Sequence, residues 1–242
     1  MKVAEKVILL LDGGNVGVAA AIAGSLHPNP SAKLQTIKES FRFSLECYGI
    51  NDLTASGEVI HFVGSGGRYE VSILMLENYE PPVLACALNE VLLKLAGEEQ
   101  STLPTLIVPF VVPETKLKQE KKYSGKSEKV SLYGMKLGPT TDVSELLSSR
   151  LQQSPLFSQI LHEELALLLH LVNVMKLPTV VMIGVTGQRT SSKNSNNDLE
   201  VTCQIGEHLA SVSSLTFSKE KMVQSPTKTS RDGKEAWRAL YG

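Results

Sequence analysis

Runs of consecutive apolar residues recur along the chain and predict strands that are buried on both faces. Residues 7–11, TLIVPFVV and TVVMIGV are such runs. A strand that is covered by helices on both sides needs no alternation of polar and apolar residues. Pro109 lies inside the second run, so we expect that strand at the edge of a sheet or with a bulge.

Three more strands are predicted in the first third of the chain, at residues 41–48, 58–63 and 69–76. The glycine-rich residues 64–67 separate the last two of these strands. A short turn of this composition is typical of a hairpin, so we expect the two strands to pair antiparallel.

Other segments have apolar residues at helical spacing. GVAAAIAGSL and VLACALNEVLLKLAG predict two helices, and SQILHEELALLLHLVNVMK is so rich in leucine that we expect its helix to be largely buried. Residues 142–153 and 199–215 predict two further helices. Strands that alternate with helices favour an α/β fold, specifically a three-layer sandwich with a mostly parallel or mixed central sheet flanked by helices.

Length alone permits one large domain or two small ones, and we favour a single α/β domain as the simpler interpretation. The 242 residues are 42% hydrophobic, which is enough to bury a sizeable core, and 24 basic against 25 acidic residues leave a net charge of -1. This balance gives no overall field that would attract nucleic acid or an anionic membrane. The three cysteines lack CxxC spacing, which favours a reducing compartment. We therefore expect a soluble protein of the cell interior.

Polar segments mark the limits of that domain. Residues 113–130 contain six lysines, and residues 187–198 are rich in serine and asparagine, so both predict solvated loops. The lysines can also be interpreted as a surface for an acidic partner. Residues 218–242 predict a flexible tail, which leaves residues 1–217 as the single α/β domain.

A glycine-rich turn follows the first predicted strand. Gly13, Gly14 and Asn15 stand at a junction of strand and helix, where the amides of a helix N-terminus can bind phosphate. The pattern is GGxxG and not GxGxxG, and no acidic residue follows at the position that would bind a ribose. We favour a tight turn without a ligand, with these three residues as weak candidates for a binding site.

No local motif predicts catalysis or a metal site. No histidine stands four residues from another as in a helical zinc site, no serine lies in a GxSxG turn, and the cysteines have no partner pattern. His162, Glu163 and Glu164 begin a predicted helix, where acidic residues are favoured whatever the function. We therefore predict no catalytic residue, no metal and no cofactor.

The last residues, RALYG, contain a leucine and a tyrosine although the preceding SPTKTSRDGK is polar. Trp237, Leu240 and Tyr241 either fold back on the domain or bind another protein, because exposed aromatic residues lower solubility. The polar segment before them has the composition of a tether, which favours binding to another protein.

The Leu240-Tyr241-Gly242 sequence matches the hydrophobic-tyrosine-any motif that proteasome activators and assembly chaperones insert between α subunits of the 20S ring. In order and spacing, four segments of the chain resemble the proteasome assembly chaperone 1 family. These segments are KVILLLDGGNVGVAAAI, VSILMLENYEPPVLACALNEVLLKL, TLIVPFVV and, after ELALLLHLVNVMK, LPTVVMIG. The chain departs from that family in its lysine-rich segment.

The resemblance implies a non-catalytic chaperone that forms a heterodimer with proteasome assembly chaperone 2 and binds proteasome α subunits, in the cytoplasm and also in the nucleus. It implies no nucleic acid, no membrane and no cofactor. In this interpretation Leu240 buries apolar area, Tyr241 adds an aromatic ring, and the Gly242 carboxylate pairs with a lysine of the pocket. The alternative is a nucleoside- or phosphate-binding enzyme on a phosphorylase-like α/β scaffold, which would use the Gly13-Gly14 turn.

Overall fold

A computed structural model describes residues 1–11, 17–97, 103–119, 131–155, 157–187 and 194–224. The strands are β1 (Lys6–Leu11), β2 (Leu26–Pro28), β3 (Gln35–Ser44), β4 (Thr54–Val63), β5 (Tyr69–Leu76), β6 (Thr105–Pro113), β7 (Leu117–Gln119), β8 (Ser131–Leu137), β9 (Gln152–Gln153), β10 (Phe157–Ile160), β11 (Thr179–Thr186) and β12 (Leu215–Phe217). The helices are α1 (Val18–Ser25), α2 (Pro81–Ala96), α3 (Asp142–Arg150), α4 (Glu163–Met175), α5 (Asn194–Ser213) and α6 (Lys219–Gln224).

The central sheet has eight strands in the order β3-β4-β5-β1-β6-β11-β8-β9. Strands β5, β1, β6 and β11 run parallel to one another. The pairs β3–β4, β4–β5 and β8–β11 are antiparallel, which makes the sheet mixed and confirms the predicted hairpin. Two small antiparallel pairs, β7–β10 and β2–β12, stand outside this sheet.

Helices cover both faces of the sheet, as alternate residues of β1 demonstrate. Val7 and Leu9 belong to the core cluster that includes buried residues of α2 and α4. Ile8 and Leu10 belong to the cluster that includes buried residues of α1, α3 and α5. The predicted three-layer α/β sandwich with a mixed central sheet is therefore confirmed.

Pro109 lies in a central strand, so the prediction of an edge strand or bulge around it is wrong. The amide of Thr105 donates to Glu5 O beside β1, and the amide of Leu106 donates to Pro178 O beside β11. Successive backbone amide positions along β6 thus point alternately to β1 and to β11. The amide position of residue 109, four residues after Thr105, therefore points toward β1. Pairing between β1 and β6 ends at Ile8–Ile107, before Pro109. The absence of an N–H at Pro109 therefore removes no hydrogen bond between β1 and β6.

Several element boundaries differ from the prediction. The helix expected at residues 142–153 ends at Arg150 and is followed by β9, and the strand expected from residue 58 begins at Thr54. The strand expected at residues 41–48 occupies Gln35–Ser44 and is followed by a 3₁₀ turn at Glu46–Tyr48. Its first half has exposed side chains and is held by pairing with β4, so no apolar pattern marks it. The helix expected from residue 158 begins only at Glu163, because His162 caps it and the residues before it form β10.

Three predicted polar segments contain ordered elements. Within residues 113–130, Leu117 is buried and begins β7, which pairs with β10. Within residues 187–198, helix α5 already begins at Asn194. Within residues 218–242, Met222 is buried and anchors α6. In the first and third segments a single apolar side chain fixes the element, which the average composition does not reveal.

Candidate functional site at the carboxyl edge of the sheet

A crevice opens where the strand order changes direction. The chain goes from β1 to β3, β4 and β5 on one side of β1, and α2 then carries it to β6 on the other side. In open α/β sheets, ligands bind outside the carboxyl ends of the strands at such a point. Because β1 and β6 stop pairing after Ile8–Ile107, their carboxyl ends lie apart and leave an opening.

The crevice is lined mainly by apolar side chains. They come from β1 (Leu10, Leu11), α1 (Val18, Ile22) and β6 (Pro109, Phe110), and the polar lining comes from His162 and Glu164. The described residues leave a cavity of about 30 Å³, which holds only about two water molecules. Gly13, Gly14 and Asn15 follow β1 at this edge in the sequence, but they lie outside the described residues.

His162 is held at the edge of the crevice by its role in starting α4. Its Nδ1 accepts a hydrogen bond from the Leu165 N–H at 3.4 Å, and its ring packs edge-to-face on Phe110 with centroids 5.7 Å apart. Burial lowers the pKa of His162, and the nearby charge of Lys116 lowers it further. A neutral ring that accepts at Nδ1 carries its proton on Nε2.

Glu164 is the second polar group of the crevice. Burial raises the pKa of its carboxyl, and the charge of Glu163 raises it further. Its Oε2 lies 3.8 Å from Nδ1 of His162, the atom that accepts from the backbone. A carboxyl of raised pKa beside a neutral histidine has the features of an acid–base pair. Helix capping and the preference for acidic residues in a first turn explain the same residues without a substrate.

Sequence reasoning found His162 and Glu164 only as the start of a helix, and it did not find Phe110 as their neighbour. The contact between β6 and α4 joins positions far apart in the chain. The one available signal was Pro109, which marks the place where β1 and β6 separate.

The terminal segment, residues 225–242, follows a helix that is fixed to the domain. Met222 of α6 is buried and accepts a hydrogen bond from Ser25 Oγ of α1, with oxygen and sulfur 3.9 Å apart. The amide of Ser218 donates to the Ser25 carbonyl at 2.9 Å. Helix α6, which precedes the terminal segment in the sequence, is therefore fixed beside the end of α1. Leu240, Tyr241 and Gly242 lie outside the described residues, so their binding to a pocket stays a prediction.

Other kinds of site were also sought in the described ranges. They contain no group of three or more His, Cys, Asp and Glu side chains that can hold a metal ion. Cys47 is exposed, Cys86 is half-buried and Cys203 is buried. Burial raises the pKa of the Cys203 thiol, which disfavours the reactive thiolate.

No helix within these ranges is long and apolar enough to cross a membrane.

Comparison with known proteins gives a family and a fold. A family model described as a domain of unknown function, DUF7894, matches residues 1–242, so the chain belongs to this family. No curated protein matches the sequence. A protein of unknown function from Thermoplasma acidophilum is similar in structure, with a TM-score of 0.57 and 12% identity over 100% of this chain and 92% of that chain. This similarity shows the fold.

Two further solved structures are similar at lower scores. One is PbaA from Pyrococcus furiosus, an archaeal homolog of proteasome-assembly chaperone, with a TM-score of 0.48 and 11% identity over 92% of this chain and 88% of that chain. The other is a PAC2 family protein from Streptomyces avermitilis, with a TM-score of 0.46 and 10% identity over 91% of each chain.

Proposed function

We propose that this DUF7894 chain is a non-catalytic assembly chaperone that binds the α ring of the 20S proteasome. One observation carries the proposal. The four segments that resemble the proteasome assembly chaperone 1 family form β1 with α1, β5 with α2, β6, and β11. Their strands are four direct neighbours in the sheet, β5-β1-β6-β11, so the resemblance covers one continuous structural unit.

Residues Leu240, Tyr241 and Gly242 make the contact with the ring in this proposal. A leucine and a tyrosine each contribute about 1.5–3 kcal/mol when buried, and association costs at least about 4 kcal/mol. The three residues alone therefore bind weakly. The folded domain must supply a second contact, which raises the effective concentration of the terminal segment at its pocket.

The position of α6 is compatible with this use of the terminal segment. The 18 residues from 225 to 242 can extend at most about 60 Å from the end of α6. The contact between Met222 and Ser25 fixes α6, which directly precedes this segment. The pocket on the α ring must therefore lie within that distance of α6. A heterodimer with a protein of the proteasome assembly chaperone 2 type would supply a second such segment to the same ring.

The experiment is recovery of 20S precursors by the full chain from cells. We expect Tyr241→Ala, or one residue added after Gly242, to lower recovery about tenfold, which corresponds to about 1.4 kcal/mol. Ser230→Ala is the matched control because it changes the same terminal segment outside the motif, and it should leave recovery unchanged. Equal recovery by the wild-type chain and Tyr241→Ala would contradict the proposal.

The enzyme alternative rests on sequence order: Gly13 and Gly14 follow β1 in the sequence, and the last residues of β1 line the crevice that contains His162 and Glu164. Calorimetry with inorganic phosphate, nucleosides and dinucleotides distinguishes the two functions. Saturable binding that Gly14→Val abolishes would favour the enzyme. The chaperone proposal predicts no such binding.

A further inference from the structure

Strand β3 forms one edge of the central sheet along its whole length. Among the described residues it pairs with β4 alone. Its ten residues make it about twice as long as a usual strand. The pairing with β4 has no bulge, and the sequence of the strand, QTIKESFRFS, contains no proline. Short length, bulges and proline normally protect an edge, so β3 is open to pairing with a further strand.

The backbone groups that face this open edge follow from the hydrogen bonds of β4. The amide of Glu77, directly after β5, donates to Ser56 O at 3.0 Å. Even positions of β4 therefore face β5, and its odd positions face β3. Odd positions of β4 pair with odd positions of β3, as Val59 does with Glu39. The even positions of β3 thus turn their N–H and C=O groups outward.

Four residues of β3 have these outward backbone groups. They are Thr36, Lys38, Ser40 and Arg42. No hydrogen bond from another described residue reaches their backbone N–H and C=O groups. The open edge therefore presents four donors and four acceptors at the alternating spacing that a paired strand requires.

The side chains at the same positions give the edge a positive charge. They lie on the face of the sheet that α1 covers, because Ile60, which pairs with Lys38, belongs to the core cluster on that face. Lys38 and Arg42 are exposed, and neither forms an ion pair within the described part of the chain. Glu58 of β4 pairs with Ser40 between them, so two positive charges stand beside one negative charge.

The odd side chains of β3 make the opposite face of the edge mainly apolar. Phe41 and Phe43 stack with ring centroids 5.3 Å apart, and Ile37 is 39% exposed. Glu39 lies between Ile37 and Phe41, and its carboxylate is 3.9 Å from Nε2 of His61. Apolar residues of an added strand would be stabilised by contact with these aromatic and β-branched side chains.

We propose that β3 binds an extended acidic segment of another protein, which adds to the sheet antiparallel to β3. In this segment acidic residues alternate with apolar ones. An acidic residue opposite Lys38 or Arg42 exchanges two backbone hydrogen bonds with it, and its carboxylate reaches the positive side chain. The apolar residues lie beside Ile37 and Phe41. The site goes beyond the proposed chaperone function and does not depend on residues 225–242.

A second copy of β3 fits this edge less well than an acidic segment. Two registers pair one β3 antiparallel with another over nearly the full strand while their outward positions face each other. One register places Lys38 opposite Arg42, and the other places Glu39 opposite Glu39 of the second copy. Like charges directly opposite each other destabilise a sheet. An acidic segment instead brings opposite charges together at Lys38 and Arg42.

Hydrogen exchange in the presence of a synthetic peptide is the test. The probe is a blocked octapeptide of alternating valine and glutamate, added to the isotope-labelled full chain. Without peptide, the amides of Lys38 and Ser40 should exchange rapidly, whereas β4 protects those of Glu39 and Phe41. Saturating peptide should slow exchange at Lys38 and Ser40 at least about tenfold. No slowing at millimolar peptide overturns the proposal, and so does slowing that needs only a higher concentration of the chain itself.

Methylated peptides check the direction of pairing. In the antiparallel arrangement the glutamate amides of the peptide face β3 and its valine amides face away. A peptide that is N-methylated at its glutamates should therefore leave exchange in β3 unchanged. One that is N-methylated at its valines should act like the unmodified peptide. Equal effects of the two methylated peptides, or loss through valine methylation alone, contradict the proposal.

Substitutions in β3 separate the backbone contact from the charge. Ser40→Pro removes an outward N–H and no bond to β4, so the chain should stay folded and bind the peptide at least about tenfold more weakly. Arg42→Glu should weaken binding about tenfold through repulsion. Lys118→Glu makes the same change of charge at an exposed residue of β7, outside the central sheet, and should leave binding unchanged. Circular dichroism confirms each fold. Wild-type affinity in both β3 variants overturns the proposal.

Discussion

The hydroxyl of Ser25 donates a hydrogen bond to the sulfur of Met222 at 3.9 Å, although the two residues are 197 positions apart in the chain. Ser25 ends α1, and Met222 lies in the middle of α6. The contact joins the last described helix to the first one. It fixes α6, the helix that precedes residues 225–242 in the sequence, against the domain.

Met222→Ala should detach α6 from α1. Met222 is 6% exposed, and truncation of a buried methionine costs about 2 kcal/mol or more in free energy of unfolding. Urea denaturation measures the change. Leu53→Ala is the control, because Leu53 is 47% exposed and its truncation should change stability by less than about 0.5 kcal/mol. Equal stability of Met222→Ala and the wild type would show that α6 is not docked.

Pro109 and Val108 should respond in opposite ways to substitution. Pro109→Ala restores an N–H on the side where β1 has already separated, so we expect stability to change by less than about 1 kcal/mol. Val108→Pro removes an N–H that turns toward β11, where Val108 pairs with Val181, and should cost about 3 kcal/mol. Thermal unfolding compares the two variants. A larger loss for Pro109→Ala than for Val108→Pro would contradict the assigned amide directions.

The sequence was informative wherever burial on both faces imposes an apolar pattern. Strands β1, β5 and β11 and helix α2 were predicted within a residue or two for this reason. The first half of β3 was not predicted, since its exposed side chains carry no pattern and its pairing with β4 defines it.

The remaining differences come from contacts between distant parts of the chain. Pro109 was misinterpreted because the separation of β1 from β6 is not visible in either strand alone. The crevice was not predicted as a unit, because the packing of β6 against α4 brings Phe110 to His162. Helix α4 was expected to be largely buried from its leucine content, but only Leu165, Leu168 and Val172 are fully buried and Val174 is exposed.

His61 is a buried titratable group on β4, the second strand of the central sheet. It is 1% exposed, its Nδ1 lies 2.9 Å from Ser72 Oγ, and that oxygen accepts from the Ala4 N–H. Its ring stacks on Tyr69. Burial lowers the pKa of His61, and the charge of Glu39 opposes this only in part. The folded protein therefore favours the neutral ring.

This shift predicts that stability falls in acid. Below the unfolded pKa of about 6.5 the unfolded chain binds a proton that the folded chain binds only at lower pH. The contribution of His61 is thus complete above pH 6.5 and is lost as the pH falls toward the folded pKa. Each unit of pKa difference is worth about 1.4 kcal/mol.

His61→Gln isolates this contribution from those of other groups. Burial also lowers the pKa of His27, His162 and His208, and it raises the pKa of Glu164, which acts in the opposite direction. Urea denaturation of the wild type and of His61→Gln at pH 7.5 and 5.5 is the measurement. The wild type should lose more stability between these pH values than the variant does. The same loss in both would show that His61 does not titrate differently in the folded state.

The most direct measurement concerns position 241. A photo-crosslinking amino acid in place of Tyr241, activated in cells that are assembling proteasomes, records what this position contacts, and mass spectrometry identifies the product. The proposed function predicts crosslinks to proteasome α subunits, which disappear when one residue is added after Gly242. Crosslinks confined to this chain's own domain, unchanged when α rings are present, would contradict it.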